Sequence, residues 1–185
     1  LHLEVGMMSL GKVYTFSPCF RAEKSMTRKH LAEFWMLEVE QAHGDLDSMM
    51  ELCELLVKNA LNRAVQVVER QRLQSLVNKM EGHNVEPLNL PWPRITYKDA
   101  CERVGLKWGE DIGSEAEKKL TDAYRGPVFV THYPKDMKPF YMRKDGEVAY
   151  CFDLIFPEVG ELAGGSERED DHGKLEHAMR ETGMD

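Results

Sequence analysis

The chain predicts an α+β fold, an antiparallel sheet flanked by helices. Three observations carry that expectation. Runs of alternating aromatic and β-branched residues open the chain, apolar residues recur at helical spacing through its middle, and strand-like runs with turn signals return in the second half. With 185 residues, 42% of them hydrophobic, there is enough apolar material for one core shared by sheet and helices.

The elements follow in order. Leu1 to Val5 alternates apolar and polar residues and has no initiator methionine or signal pattern before it, so the chain reads as a piece of something longer. Val13–Phe16, Phe20–Lys24 and Glu33–Glu40 read as antiparallel strands. Asp45 or Asp47 is placed to cap a helix whose apolar stripe runs from Met49 through Leu52, Leu56, Leu61, Ala64, Val68, Leu73 and Leu76 to Met80, ending at Gly82 to Asn84. That stripe reads as core packed on the back of the sheet. Pro91 to Tyr97 reads as an extended linker into a short helix, Tyr97–Val104, and the acidic segment beyond as solvated surface without a function. Strands are expected at Pro127–His132, Phe140–Met142 and Val148–Ile155, the last after a turn at Lys144 to Gly146. An amphipathic helix over Glu169–Glu181 follows, with Gly183 near its end.

Several chemistries are disfavoured by composition and spacing. No apolar run approaches the roughly 18 uninterrupted residues of a membrane span. Cys19, Cys53, Cys101 and Cys151 lie too far apart for a CxxC site, and His172 and His177 lack a cysteine cluster, so buried free thiols are expected rather than zinc or a disulfide framework. The formal net charge of -8 argues against a nucleic-acid-binding surface within these residues.

Against that acidic background, Lys24, Arg28, Lys29 and His30 concentrate positive charge in the stretch FRAEKSMTRKHLAEF, Phe20 to Phe34. Side chains two apart on a strand share a face, so Arg21 accompanies Glu23 on one arm of a hairpin, while Phe34, Met36 and Glu38 line up on the other. A planar guanidinium on a strand suits phosphate oxygens, and a basic loop between the arms suits a polyphosphate.

FRAE, a loop, then HLAEFWMLEVE resembles motif 2 of the class II aminoacyl-tRNA synthetases, in the asparaginyl branch. VGELAGGSERE, Val159 to Glu169, resembles the magnesium and amino-acid strand of the same family, and PFYMR at Pro139 to Arg143 extends the likeness. The resemblance divides the chain into motif 2 at 20–40, a helical insertion at about 46–82 and the amino-acid and magnesium strand at 147–169. It implies that Arg21 grips the ATP α-phosphate as the catalytic cation, that Glu23 accepts from the adenine amine, that Phe34 stacks on the adenine, and that Arg28 and His30 meet the outer phosphates. His30 matches by position and Arg28 by charge; Lys29 stands where the family pattern has arginine, and Met26 where it has asparagine.

By the same resemblance Asp153 and Glu161 are Mg2+ ligands, while Glu38 and Arg168 read the substrate side chain. Arg168 donates to a carbonyl and Glu38 accepts from an amide nitrogen. Asparagine satisfies both, whereas aspartate would set a second carboxylate against Glu38. Gly164 and Gly165 clear space for substrate and permit a bulge. Glu161 and Arg168 are an odd number of residues apart, so a register change is needed if both face one ligand.

The activity implied is ATP-dependent activation of asparagine and transfer to tRNA(Asn), with a homodimer as the full-length form. The family's anticodon-binding barrel, motif 1 and motif 3 have no counterpart in these residues. The other readings are the aspartyl enzyme, an asparagine synthetase-like amide-forming enzyme, and a non-catalytic paralogue that binds ligand or partner. VGEL and GPVFV look more like the mitochondrial than the bacterial form, which implies the mitochondrial matrix, with the cytoplasm as the alternative.

Overall fold

A computed structural model describes residues 2–22, 24, 31–67 and 91–184. Glu23, Arg28 and His30 lie outside the described residues, as do Met26, Lys29 and the expected end of the long helix beyond Val67. The chain divides into two compact units, Leu1–Gly44 and Asp45–Asp185. The expectation of one core shared by all sheet and helix is therefore corrected, because the first hairpin forms a unit of its own.

In the first unit, helix α1 (His2–Leu10) leads into strand β1 (Lys12–Phe20), which pairs antiparallel with β2 (Glu33–Gln41). The alternating start is thus helical. Val13–Phe16 lies inside β1, whose Pro18 sits where the two-stranded sheet spares its missing N–H, but the strand expected over Phe20–Lys24 is not one: β1 ends at Phe20, and Arg21, Ala22 and Lys24 lie outside any strand. Register sets Cys19 opposite Phe34, Ser17 opposite Met36 and Thr15 opposite Glu38.

The second unit is a five-stranded sheet, β3 (Arg94–Thr96), β4 (Val128–Pro134), β5 (Lys144–Asp145), β6 (Val148–Phe156) and β7 (Gly160–Ser166). Its pairings are antiparallel except β3 with β4. That parallel pair is closed by α3 (Tyr97–Val104) and α4 (Ser114–Tyr124), the crossover that parallel strands require. Two sequence expectations change here. The supposed linker contains β3, and the acidic segment contains α4, whose Leu120 and Thr121 are buried. Phe140–Met142 is not a strand; Met142 makes a single bridge to Arg168.

Helix α2 (Leu46–Val67) covers one sheet face. Leu46 and Met50 from this helix, Trp92, Phe129, Phe152, Leu154 and Phe156 form the core there. Helices α3 and α4 cover the opposite face, where Tyr97, Leu120, Val128, Val130, Tyr133, Cys151 and Ile155 pack. The long helix thus packs on the sheet, but through Leu46, Met49, Met50, Cys53, Val57 and Leu61; of the stripe read from sequence Met49 and Leu61 join this core, whereas Leu56 and Ala64 are exposed. Of the two proposed caps Asp45 serves: its carboxylate accepts from the Ser48 N–H at 2.8 Å, and this bond holds its pKa below the usual value. Helix α5 (His172–Glu181) is capped by Asp171. Cys101 and Cys151 are buried as expected, but Cys19 and Cys53 are half-buried.

Gly165 marks the tightest approach in the sheet, since a Cβ there would stand 2.6 Å from the Phe152 ring. Phe152 is a buried member of the aromatic core, edge-on to Phe129, so it has little room to retreat. Gly165→Ala is expected to destabilise the fold by about 1–3 kcal/mol, measured as a lowered urea midpoint. An unchanged midpoint would show that the core yields more easily than this packing implies.

Candidate active site

The first unit builds its candidate site on one face of the hairpin. Arg21 follows the end of β1, anchored by its N–H donating to the Ala32 carbonyl at 3.0 Å, and its guanidinium lies 5.3 Å from the centre of the Phe34 ring. A cation and a flat apolar face are thereby set side by side, the pair a nucleotide needs for its phosphate and its base. Glu38 lies two pleats beyond Phe34, exposed, with the Thr15 hydroxyl donating to it at 3.5 Å. Arg21, Phe34 and Glu38 are thus brought onto one hairpin. Glu23, Arg28 and His30 fall outside the described residues.

In the second unit, Asp153 on β6 stands opposite Gly164 on β7. A Cβ on Gly164 would lie 3.2 Å from Asp153 Oδ1 and 3.3 Å from Glu161 Oε1. Two carboxylates therefore converge on a gap that any side chain at 164 would fill. They do so because the ladder slips between Leu154 and Ile155, pairing Ile155 with Glu161 and leaving Leu162 as the extra residue. The register change lies at Leu162, ahead of the glycines expected to host it. Strand alternation sets Gly164, Ser166 and Arg168 on the Asp153 face, and the slip brings Glu161 there too.

The donor set suits Mg2+. Hard carboxylate oxygens are its usual protein ligands, and it commonly takes only one or two of them, filling its other positions with water and phosphate oxygens. Among the described residues no group of three or more His, Cys, Asp and Glu is arranged to hold a metal.

A cleft of about 140 Å³ beside these carboxylates is lined by Asp111, Glu117, Tyr133, Lys138, Asp153 and Glu161, among others. Lys138 Nζ bonds Asp153 Oδ2 at 2.8 Å and lies 4.0 Å from the Tyr133 ring centre. Burial, with the Asp153 carboxylate next, pushes the Tyr133 phenol far above its ordinary pKa, so it stays a neutral hydrogen-bonding group. Arg168 spreads its guanidinium 4.6 Å over Tyr141 and donates to the Ser166 hydroxyl at 3.3 Å. Stacking and hydrogen bonding together hold its planar fork in one orientation.

Lys138, Tyr133 and Glu117 are the residues that sequence reading missed. Lys138 had a signal, a cation immediately before the PFYMR stretch. Glu117 had none, because its contact is with a strand far along the chain: its Oε1 accepts from the Glu161 N–H at 3.0 Å.

The whole chain, residues 1–185, matches the family model described as tRNA synthetases class II (D, K and N). Among solved structures it is similar to an asparaginyl-tRNA synthetase from Pyrococcus horikoshii complexed with asparaginyl-adenylate, at 37% identity and a TM-score of 0.86 over 100% of this chain and 44% of that one. An asparaginyl-tRNA synthetase from Entamoeba histolytica, also complexed with asparaginyl-adenylate, is 33% identical with a TM-score of 0.85, again over 100% of this chain and 44% of that one. An aspartyl-tRNA synthetase from the same organism shares the fold, at 24% identity and a TM-score of 0.81 over 99% of this chain and 40% of that one. The chain thus spans less than half the length of these structures, and it belongs to the class II tRNA synthetase family that takes aspartate, lysine or asparagine.

Proposed function

We propose that this chain is part of an asparaginyl-tRNA synthetase, which activates asparagine with ATP and transfers it to tRNA(Asn). The observation that carries the choice of amino acid is Glu38: a carboxylate presented on the same hairpin as the Arg21 and Phe34 stack accepts from an amide but repels a second carboxylate. The two asparaginyl enzymes complexed with asparaginyl-adenylate, alike over the whole chain, support the reading.

In this reading the asparagine carboxylate attacks the ATP α-phosphorus, the adenylate forms and pyrophosphate leaves. The adenylate is then passed to the terminal ribose of tRNA. No side chain acts as nucleophile. Arg21 holds the α-phosphate and offsets the charge that develops there, Phe34 stacks the adenine, and Arg168 fixes the asparagine side chain. Glu23, Arg28 and His30 are assigned to the adenine amine and outer phosphates. Asp153 and Glu161 would hold Mg2+, which when bound neutralises phosphate charge. We further propose that the full-length protein is a homodimer and works in the mitochondrial matrix, the latter on the VGEL and GPVFV segments.

Calorimetric titration with non-hydrolysable asparaginyl- and aspartyl-adenylate analogues, in magnesium, tests the reading. The asparaginyl analogue is expected to bind more tightly. Glu38→Gln in the full-length chain should narrow the preference by about tenfold or more. An unchanged preference would place specificity elsewhere.

A further inference from the structure

We propose that Glu117, on α4, is a positioning residue for the magnesium site: its carboxylate holds the Glu161 peptide in the slipped register that turns the Glu161 side chain toward Asp153. The inference rests on the assignment of Asp153 and Glu161 as the magnesium ligands.

Continued without a slip, the ladder that pairs Asp153 with Gly164 and Leu154 with Ala163 would set Leu162 opposite Ile155. Glu161 would then face the α2 side of the sheet, away from Asp153. The slip exchanges the two, placing Glu161 opposite Ile155 and its Oε1 within 3.3 Å of the position a Gly164 Cβ would take. A bulge disrupts ladder hydrogen bonding and is costly unless its backbone groups find other partners.

Glu117 supplies one. It reaches across from α4, and its Oε1 accepts from the Glu161 N–H at 3.0 Å. That bond is charge-assisted, which makes it stronger than a neutral one, and it lies at the edge of the acidic cleft, with Glu117 half-buried and Glu161 exposed. Helix α4 is in turn fixed by Leu120, fully buried against the sheet, three residues along from Glu117 on the same helix face. The anchor of the ligand strand is thus a rigid element of the core. Groups that orient a metal's own ligands commonly control its affinity about as strongly as a weak ligand does.

A second explanation competes on the same geometry, that Glu117 merely adds negative charge near the cation. Variants separate them. Glu117→Gln removes the charge and keeps an oxygen at the same reach. Glu117→Asp keeps the charge but is one methylene too short to meet the Glu161 N–H.

The test is an electron paramagnetic resonance titration of the full-length chain with Mn2+, in the presence of a non-hydrolysable ATP analogue. Glu117→Asp and Glu117→Ala are expected to weaken Mn2+ binding about tenfold, with Glu117→Gln within about twofold of the unmodified chain. Amide exchange at Glu161 should accelerate in the Asp variant and not in the Gln variant. Unchanged Mn2+ affinity in Glu117→Asp, or a Gln variant as weak as Asp, overturns the proposal. Glu161→Gln tells the two levels apart. If it weakens Mn2+ while Glu117→Asp does not, the positioning role alone fails; if it leaves Mn2+ untouched, the magnesium assignment falls and takes the positioning role with it.

Discussion

Arg21→Ala in the full-length chain is expected to abolish adenylate formation, with a loss of about a thousandfold in pyrophosphate exchange. The guanidinium is the group on the hairpin suited to hold two α-phosphate oxygens at once, and its charge is offered where negative charge grows during attack. Its stacking on Phe34 limits the motion a free arginine would have, so the cation is presented at little entropic cost when ATP arrives. Arg21→Lys should recover only a small part, because a point charge lacks the planar fork. The side chain is exposed, and the hairpin backbone is secured by the Arg21 N–H rather than by its guanidinium, so thermal stability should move little. Preserved exchange activity in the alanine variant would remove the central assignment of the site.

Asp153→Ala is expected to injure both the fold and the chemistry. Lys138 and Asp153 are paired at 2.8 Å with side chains only 17% and 13% exposed, so deleting the carboxylate strands a largely buried ammonium. A fully buried pair broken in this way costs about 3–5 kcal/mol; discounting for the remaining solvent contact leaves roughly 2 kcal/mol. The same change removes one of the two oxygens that converge over Gly164. Adding Lys138→Met to the alanine variant should restore much of the lost stability, since no unpaired charge is left, while magnesium-dependent adenylate formation stays absent. Denaturant unfolding of both variants, beside exchange assays, separates the two effects. If Asp153→Ala alone retains full stability, the ion pair is no part of the fold; if it retains activity, the metal lies elsewhere.

The glutamate pair shows how different environments divide one residue type between roles. Glu38 is exposed on a hairpin and touched by one hydroxyl, so it is available to a ligand. Glu167, next to Ser166 in the chain, faces the other side of the sheet and is consumed by structure: it accepts from the Leu46 N–H at 2.9 Å and from Arg143 at 2.6 Å. Strand alternation, not residue chemistry, separates Glu167 from its neighbour Arg168 on the candidate site.

Much of this protein was legible in its residues because the signals were local. The helix α2, the alternation that opens β2, the apolar run of β6, the capping Asp45 and the turn at Gly146 each follow from local side-chain pattern or from a backbone preference within a few positions. The hairpin cluster of Arg21, Phe34 and Glu38 was legible for the same reason, since the pairing of two successive strands brings their own residues together. Local pattern also misled. Leu1 to Val5 alternates, yet His2 to Val5 belong to a helix, and the residues that became β3 and α4 carry too few apolar positions to announce themselves.

What the tertiary structure alone decided are matters of long-range contact. The convergence of Asp153 and Glu161 depends on a one-residue slip at Leu162, and in a strand one residue exchanges the two faces, which no composition records. The pairing of Lys138 with Asp153 and of Glu117 with the Glu161 peptide joins segments separated by intervening strands and turns. A sequence determines by itself which residues are able to bind phosphate, metal or amide, because that is set by side-chain chemistry. Which of them meet is settled by packing, where burial of the two aromatic and aliphatic faces of the sheet fixes the strand register and so places the charges.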